Sequence, residues 1–284
     1  DGIRDLVRSR GLGDVYKRQI ILCLPMVFLN GCEKFDEFLE IYPIASTVTG
    51  AFYSNMEEAE QAVTVAYSTF NTVAIWDRNI QMLFGSITSD DAEAGGAHVN
   101  EVPMMEAFNR LTHLPSNEHI NDVYGNLFRG IYFCNLALEN LPRVLERDPD
   151  ADAKLIEKRI AEIHFVRAIN YFYLTMIFGG VPVIDRTIGP SDYEMGRASI
   201  REIYDLIERD LKHAIDVLPT KSQWGPDNVG RASKGAAMAL LSRMYLFESS
   251  YARNYPNLSR FQGLSERWDE ALDYAERVIN SGEY

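Results

Sequence analysis

Apolar residues along the chain keep a helical rhythm over long stretches and lose it in a few well-defined places. Ala59, Ala62, Val63, Ala66, Tyr67 and Phe70 follow the i, i+3, i+4, i+7 spacing that lays one apolar stripe along a helix. Ser54 and Glu57 stand three apart at the head of that stripe, which predicts a capping box and a helix opening at Ser54. Ile120, Val123, Tyr124, Leu127, Phe128, Ile131, Tyr132 and Leu136 predict a second helix from about residue 118, ending before Pro142 because proline removes a helix donor. Leu155, Ile156, Ile160, Ile163, Tyr171, Phe172 and Thr175 predict a third over 151–178. Gly179 and Gly180 stop it, since glycine accepts the left-handed conformation at a helix C-terminus. The following "VPVID" reads as a short strand or an extended crossing.

Ser199 and Glu202 make another capping box for a helix through Leu218, closed by Pro219. "KGAAMALLSRMYLF" builds a helix over 233–250, and Trp268, Ala271, Ala275, Val278 and Ile279 build a last one over 267–280. Helix starts at 199, 233 and 267 are 34 residues apart, the tetratricopeptide period. A true repeat of that length holds two helices, whereas each interval here holds one helix and a loop. The expected fold class is therefore mostly α, an array of tetratricopeptide-like helical hairpins with long irregular loops, and "WDEALDYA" is its most repeat-like segment.

The rhythm is absent from 72 to 117, a stretch that holds Trp76, Asp77, Asp90, Asp91, His98, Asn100 and two prolines. A loop so long inside a compact domain is usually functional. Capture of a glycan from water needs an aromatic plate against a sugar's C–H face and Asn, Asp or Arg groups that replace water at the hydroxyls. This loop offers both kinds, and a second loop, 220–229, offers Trp224 with Asp227 and Asn228. The plainer assignment makes Trp76 a core residue and Asp90-Asp91 a helix cap. Asp90, Asp91 and Glu93 are oxygen ligands of the kind Ca²⁺ takes, but they lack an EF-hand register, and no cofactor is otherwise implied. His164 reads as a packed histidine, Arg167 and Arg231 as donors to carbonyls at helix ends, and Tyr171, Phe172 and Tyr173 as core.

Composition changes this picture mainly at the N-terminus. The chain has 284 residues, 46% hydrophobic and 24% charged, an ordinary globular balance. Its net charge of −13 argues against nucleic acid as a partner, whose phosphates need Lys and Arg. Residues 1–19, "DGIRDLVRSRGLGDVYKRQ", fit neither a helix nor a turn and read as a non-native leader. Residues 20–31 carry "IILCLPMVFL" behind Lys17 and Arg18: ten uncharged residues, too few to span a bilayer but suited to a signal-peptide core. The run ends in Leu29-Asn30-Gly31-Cys32, which resembles a bacterial lipobox, with Asn30 where Ala or Ser is usual. Cys32 would then be the first mature residue, lipidated on thiol and amine, and residues 32–50 a lipid-anchored tether. Of the other two cysteines, Cys23 lies in the removed run and Cys134 remains an ordinary thiol, so no disulfide framework is expected.

Four segments in order, "EIHFVRAINYFYLTMIFGGVPVID", "REIYDLIERDLKHAIDVLP", "GRASKGAAMALLSRMYLFESS" and "WDEALDYAERVINSGEY", resemble the SusD/RagB family of outer-membrane nutrient-binding lipoproteins. "LFRGIYFCNLALENLP" is similar to the family's preceding helix. The resemblance implies a SusD-like helical domain over 51–284, truncated at its C-terminus because the family normally continues beyond "SGEY". It further implies a non-catalytic lipoprotein, anchored in the outer membrane and facing the cell exterior. Such a protein would capture oligosaccharides or other polymer fragments and pass them to a TonB-dependent transporter barrel. Two other functions share the helix-pair pattern: a tetratricopeptide-type protein-interaction scaffold, and a glycoside hydrolase, for which no carboxylate pair is marked by the sequence.

Overall fold

The computed structural model describes residues 52–74, 80–98 and 101–284, giving the backbone alone at 71–74. Residues 1–19, the signal segment 20–31, Cys32 and the tether 32–50 lie outside the described residues, as do Trp76, Asp77 and Asn100. Phe52–Tyr284 form one compact unit. Among the described residues there is no strand, and no helix is long and apolar enough to cross a membrane.

Helix α1 is Met56–Ala74. Its cap lies one residue later than the sequence spacing predicts: the Asn55 side chain accepts from the Glu58 N–H at 3.0 Å, and Glu58 reaches back to the Ser54 N–H at 2.7 Å. Asparagine caps as well as serine does, and the Asn55 register keeps Ala59, Ala62, Val63 and Ala66 buried. The stretch after α1 is more ordered than its pattern indicates. It holds a single π turn, Met82–Ser86, and a short helix α2, Pro103–Asn109, which starts on a proline pre-organised for a first helical position.

Helix α3, Glu118–Arg147, runs through Pro142 rather than ending before it. Proline removes only one helix bond, and Leu141 and Val144 on either side are fully buried, so tertiary packing outweighs the local break. Helix α4 is Ala153–Phe178, capped by Asp152, whose side chain accepts from Lys154 and Leu155 N–H. Helix α5, Ile200–Val217, has the predicted Ser199–Glu202 capping box. A four-residue turn of helix, α6, Lys221–Trp224, leads to α7, Lys234–Asn254, and then α8, Trp268–Ile279.

The long helices pack serially: α1 on α3, α3 on α4, α4 on α5, α5 on α7 and α7 on α8. Two cores result. One joins α1 to the second half of α3 and the first half of α4; the larger lies under the remaining helices, and Tyr67 and Phe165 touch both. Tyr171 and Phe172 are core, as expected, and Tyr173 packs against it from a half-buried position. Helix α8 departs from its predicted stripe, because Ile279 is 77% exposed. Among the described elements α8 packs chiefly on α7, so the line through Ala271 is the one covered.

The "VPVID" segment is an extended crossing without a ladder. Its polar backbone is satisfied by side chains instead: Tyr171 Oη accepts from Ile184 N at 2.7 Å, and Asn135 Nδ2 donates to the carbonyls of Ile184 and Arg186. The two glycines before it have separate duties. Gly179 has φ 72° and ends α4, while a Cβ at Gly180 would press on the carbonyl oxygen of Ala198. That oxygen belongs to backbone and cannot swing aside. Gly180→Ala is therefore expected to destabilise the fold by about 1–3 kcal/mol through overpacking, read as a lower urea midpoint at unchanged slope. An unchanged midpoint would show that the 197–199 segment yields freely.

Candidate functional site

Three polar clusters lie between the helices. In the first, Asp210 of α5 is fully buried and receives Arg167 of α4 through two bonds, Nε to Oδ2 at 2.7 Å and Nη2 to Oδ1 at 2.8 Å. His164 Nδ1 lies 2.8 Å from Asp210 Oδ1, and Arg167 Nη1 also donates to Asn135 Oδ1 at 2.9 Å and the Asp185 carbonyl at 3.3 Å. Burial pushes the Asp210 carboxyl up, but the bonds and charges of Arg167 and His164 outweigh it and hold the group below its ordinary range. Arg167 thus serves chiefly a carboxylate, with one carbonyl as a minor partner, which corrects the helix-end role expected of it.

The second cluster corrects Arg231 in the same sense. Glu162, fully buried, takes Arg159 Nη1 at 2.6 Å, Arg231 Nη1 at 3.1 Å and the Tyr67 hydroxyl at 2.9 Å, while Arg231 Nη2 also pairs with Glu60 at 2.7 Å. Trp224 lies within it. Its ring centroid is 5.6 Å from the Arg159 guanidinium carbon and 6.0 Å from that of Arg231, and its Nε1 donates to the Ala232 carbonyl at 2.8 Å. The indole expected as a sugar plate is half-buried and engaged by two cations and a backbone bond. The third cluster joins Arg201 to the buried Glu248 and to Asp205, and Arg267 to Glu208 and Glu270.

Asp90, Asp91 and His98 are all exposed on the segment that follows the π turn. None caps a helix: the Asp91 N–H donates to Ser89 Oγ at 3.2 Å, and the His98 carbonyl accepts from Glu101 N at 3.0 Å. Beside them is a cavity of about 500 Å³ whose walls include Met82, Ile87, Ala94, Val102 and Met105, with Glu93 and Glu101 also lining it. Among the described residues no group of three His, Cys, Asp or Glu is arranged to hold a metal ion. Within the loop Phe84 meets Phe108 of α2 edge-on at 5.4 Å, and Phe84 against Phe178 at 6.5 Å joins the loop to the end of α4.

A second cleft, of about 470 Å³, opens at the ends of α4 and α7. Its wall combines Phe178, Gly179 and Gly180 with Arg197, Tyr251, Tyr255, Arg260 and Phe261. Tyr251 and Phe261 stack with centroids 4.4 Å apart and planes 10° off parallel; Tyr255 lies 5.7 Å from Phe261 and is 48% exposed. The helix predicted to stop at 250 continues to Asn254, which carries Tyr251 onto Phe261. "YARNYPNLSRF" was the available signal, with three aromatics and two arginines in eleven residues, but it has no helical period to mark it.

Serially packed helices joined by loops that carry polar and aromatic clefts define the class as a tetratricopeptide-like helical-hairpin protein. The profile of the family described as "Starch-binding associating with outer membrane" matches residues 38–246, and the chain belongs to this SusD-like family. A SusD-like protein of Formosa agariphila is 22% identical over 245 residues, covering 84% of this chain and 44% of the relative. A laminarin-binding SusD-like protein of known structure is 26% identical, with a TM-score of 0.65 over 80% of this chain and 44% of that one. A SusD homologue from Bacteroides thetaiotaomicron is 25% identical, with a TM-score of 0.68 over 83% of this chain and 42% of the other. The chain thus spans less than half the length of these relatives.

Proposed function

We propose that this protein is a cell-surface lipoprotein that binds oligosaccharides, or other nutrient polymer fragments, without transforming them, and passes them to a TonB-dependent outer-membrane transporter. The observation that carries the reading is the family match over 38–246, whose description couples starch binding to the outer membrane. The laminarin-binding relative supports a glycan as ligand, and the lipobox-like Leu29–Cys32 run supports an anchor in the outer membrane, the binding face outward. Trp76, Asp77, Asp90, Asp91, His98 and Asn100 are the proposed ligand contacts, on a loop whose described part borders an open cavity.

The test is affinity electrophoresis and calorimetry of the full-length protein against a panel of neutral and acidic glycans. Trp76→Ala is expected to weaken binding of the preferred glycan about tenfold or more, the scale of an aromatic anchor. Slow hydrolysis of the bound glycan would replace capture by catalysis. Co-purification with a transporter barrel, with no glycan bound at all, would replace it by scaffolding.

A further inference from the structure

The cleft at the ends of α4 and α7 differs in charge from the rest of the molecule. The chain holds 41 acidic residues against 28 Lys and Arg, yet the lining of this cleft has two arginines, Arg197 and Arg260, and no Asp or Glu. Neither arginine is in an ion pair among the described residues. Arg197 Nη1 donates to the Phe178 carbonyl at 3.3 Å, and Arg260 lies over the Phe261 ring at 4.9 Å, so both guanidiniums are positioned while keeping donors for a ligand. The carboxyl ends of two helices face the same region, each contributing a partial charge of about −0.5. Two full positive charges outweigh them.

The remaining wall is aromatic. Tyr255 is exposed beside the stacked Tyr251–Phe261 pair, and Phe178 also lines the cleft, so an accessible aromatic ring shares the cleft with two arginines. The volume, about 470 Å³, is within the range of small-molecule sites, about 300–1,000 Å³. A sugar ring that stacks its C–H face on Tyr255 would bring a ring substituent to the arginines, and guanidinium bonds a carboxylate or sulfate bidentately. A neutral sugar would leave two unpaired cations in the cleft.

We propose that the cleft formed by Phe178, Arg197, Tyr251, Tyr255, Arg260 and Phe261 binds an anionic saccharide unit, a uronate or sulfated sugar, separately from the 72–117 loop. The inference rests on the glycan-binding reading above and adds the charge class of the ligand and a second subsite.

The experiment is calorimetry of the full-length protein with trigalacturonate, a sulfated galactotriose and neutral galactotriose, at low and high salt. Wild type is expected to bind at least one anionic trimer at least tenfold more tightly than the neutral one, with affinity falling as salt rises. Comparing the two anionic trimers tells carboxylate from sulfate. Arg197→Gln with Arg260→Gln should weaken the anionic trimer about tenfold or more and leave the neutral one unchanged, while Tyr255→Ala should weaken both. These side chains lie at the surface, and an unchanged melting curve confirms that each variant is folded. Anionic binding equal to wild type in the double arginine variant overturns the proposal, as does equal binding of the neutral and anionic trimers. In either case glycan binding lost on Trp76→Ala leaves the broader function standing, whereas no binding by any glycan of the panel removes both.

Discussion

Asp210→Ala is expected to destabilise the helical unit by about 3–5 kcal/mol, the cost of leaving a buried cation without its partner. Asp210 is fully buried and Arg167 is 3% exposed, so water cannot take over the lost bonds. The loss reaches beyond the pair, because Arg167 also holds Asn135 and the Asp185 carbonyl, and with them the extended crossing between α4 and α5. In a domain of this size the melting temperature should fall on the order of 10 °C. Replacing both partners by apolar residues, Asp210→Leu with Arg167→Met, should recover much of the loss, since an apolar pair carries no desolvation cost. If the double change is as damaging as the sum of the two single ones, the pair is not the source of the effect.

The same site gives a pH dependence with a defined sign. The folded-state carboxyl of Asp210 is held below its unfolded value, so its contribution is fully present above the unfolded value, about 3.9, and is lost as pH falls through the folded one. Wild type and Asp210→Ala should differ most near neutral pH and converge in acid. A gap that widened on acidification would contradict the assigned pairing.

Cys32→Ala is the second change with a large expected effect, here on location rather than stability. The ten-residue apolar run before it is too short to span a bilayer, so the proposed anchor is the lipid on Cys32. Each buried CH₂ contributes about 0.8 kcal/mol; one chain of myristoyl length holds only marginally, whereas two or more hold firmly. The substitution should abolish incorporation of an alkyne-tagged palmitate and move most of the protein out of the membrane fraction. Continued labelling would show that the lipid is elsewhere or that the lipobox reading is mistaken.

Much of the fold was legible because helix signals are local. The Ser199–Glu202 box, the Gly179 stop and the helix starts at 199, 233 and 267 all follow from residues within one or two turns of each other. The misreadings arose where a local rule met a tertiary one. Pro142 was overridden by the burial of Leu141 and Val144, Asn55 took the cap expected of Ser54, and Ile279 points away from the helix α8 packs against. The candidate site was less legible. An exposed Asp and an engaged one look alike in sequence, and the tryptophan at 224 met two arginines, one of them, Arg159, 65 positions away and nearly buried.

By itself the sequence determined the helical elements, their order, the acidic surface and the family, because periodicity, caps and characteristic segments are properties of neighbouring residues. Only the tertiary structure decided which charges pair and which aromatics meet. Arg167 reaches Asp210 across 43 positions and Arg231 reaches Glu60 across 171, while the end of α4 meets Tyr251 and Phe261 to form one cleft. Such meetings depend on how helices rotate and cross when their apolar faces pack, and no spacing along one chain segment encodes that.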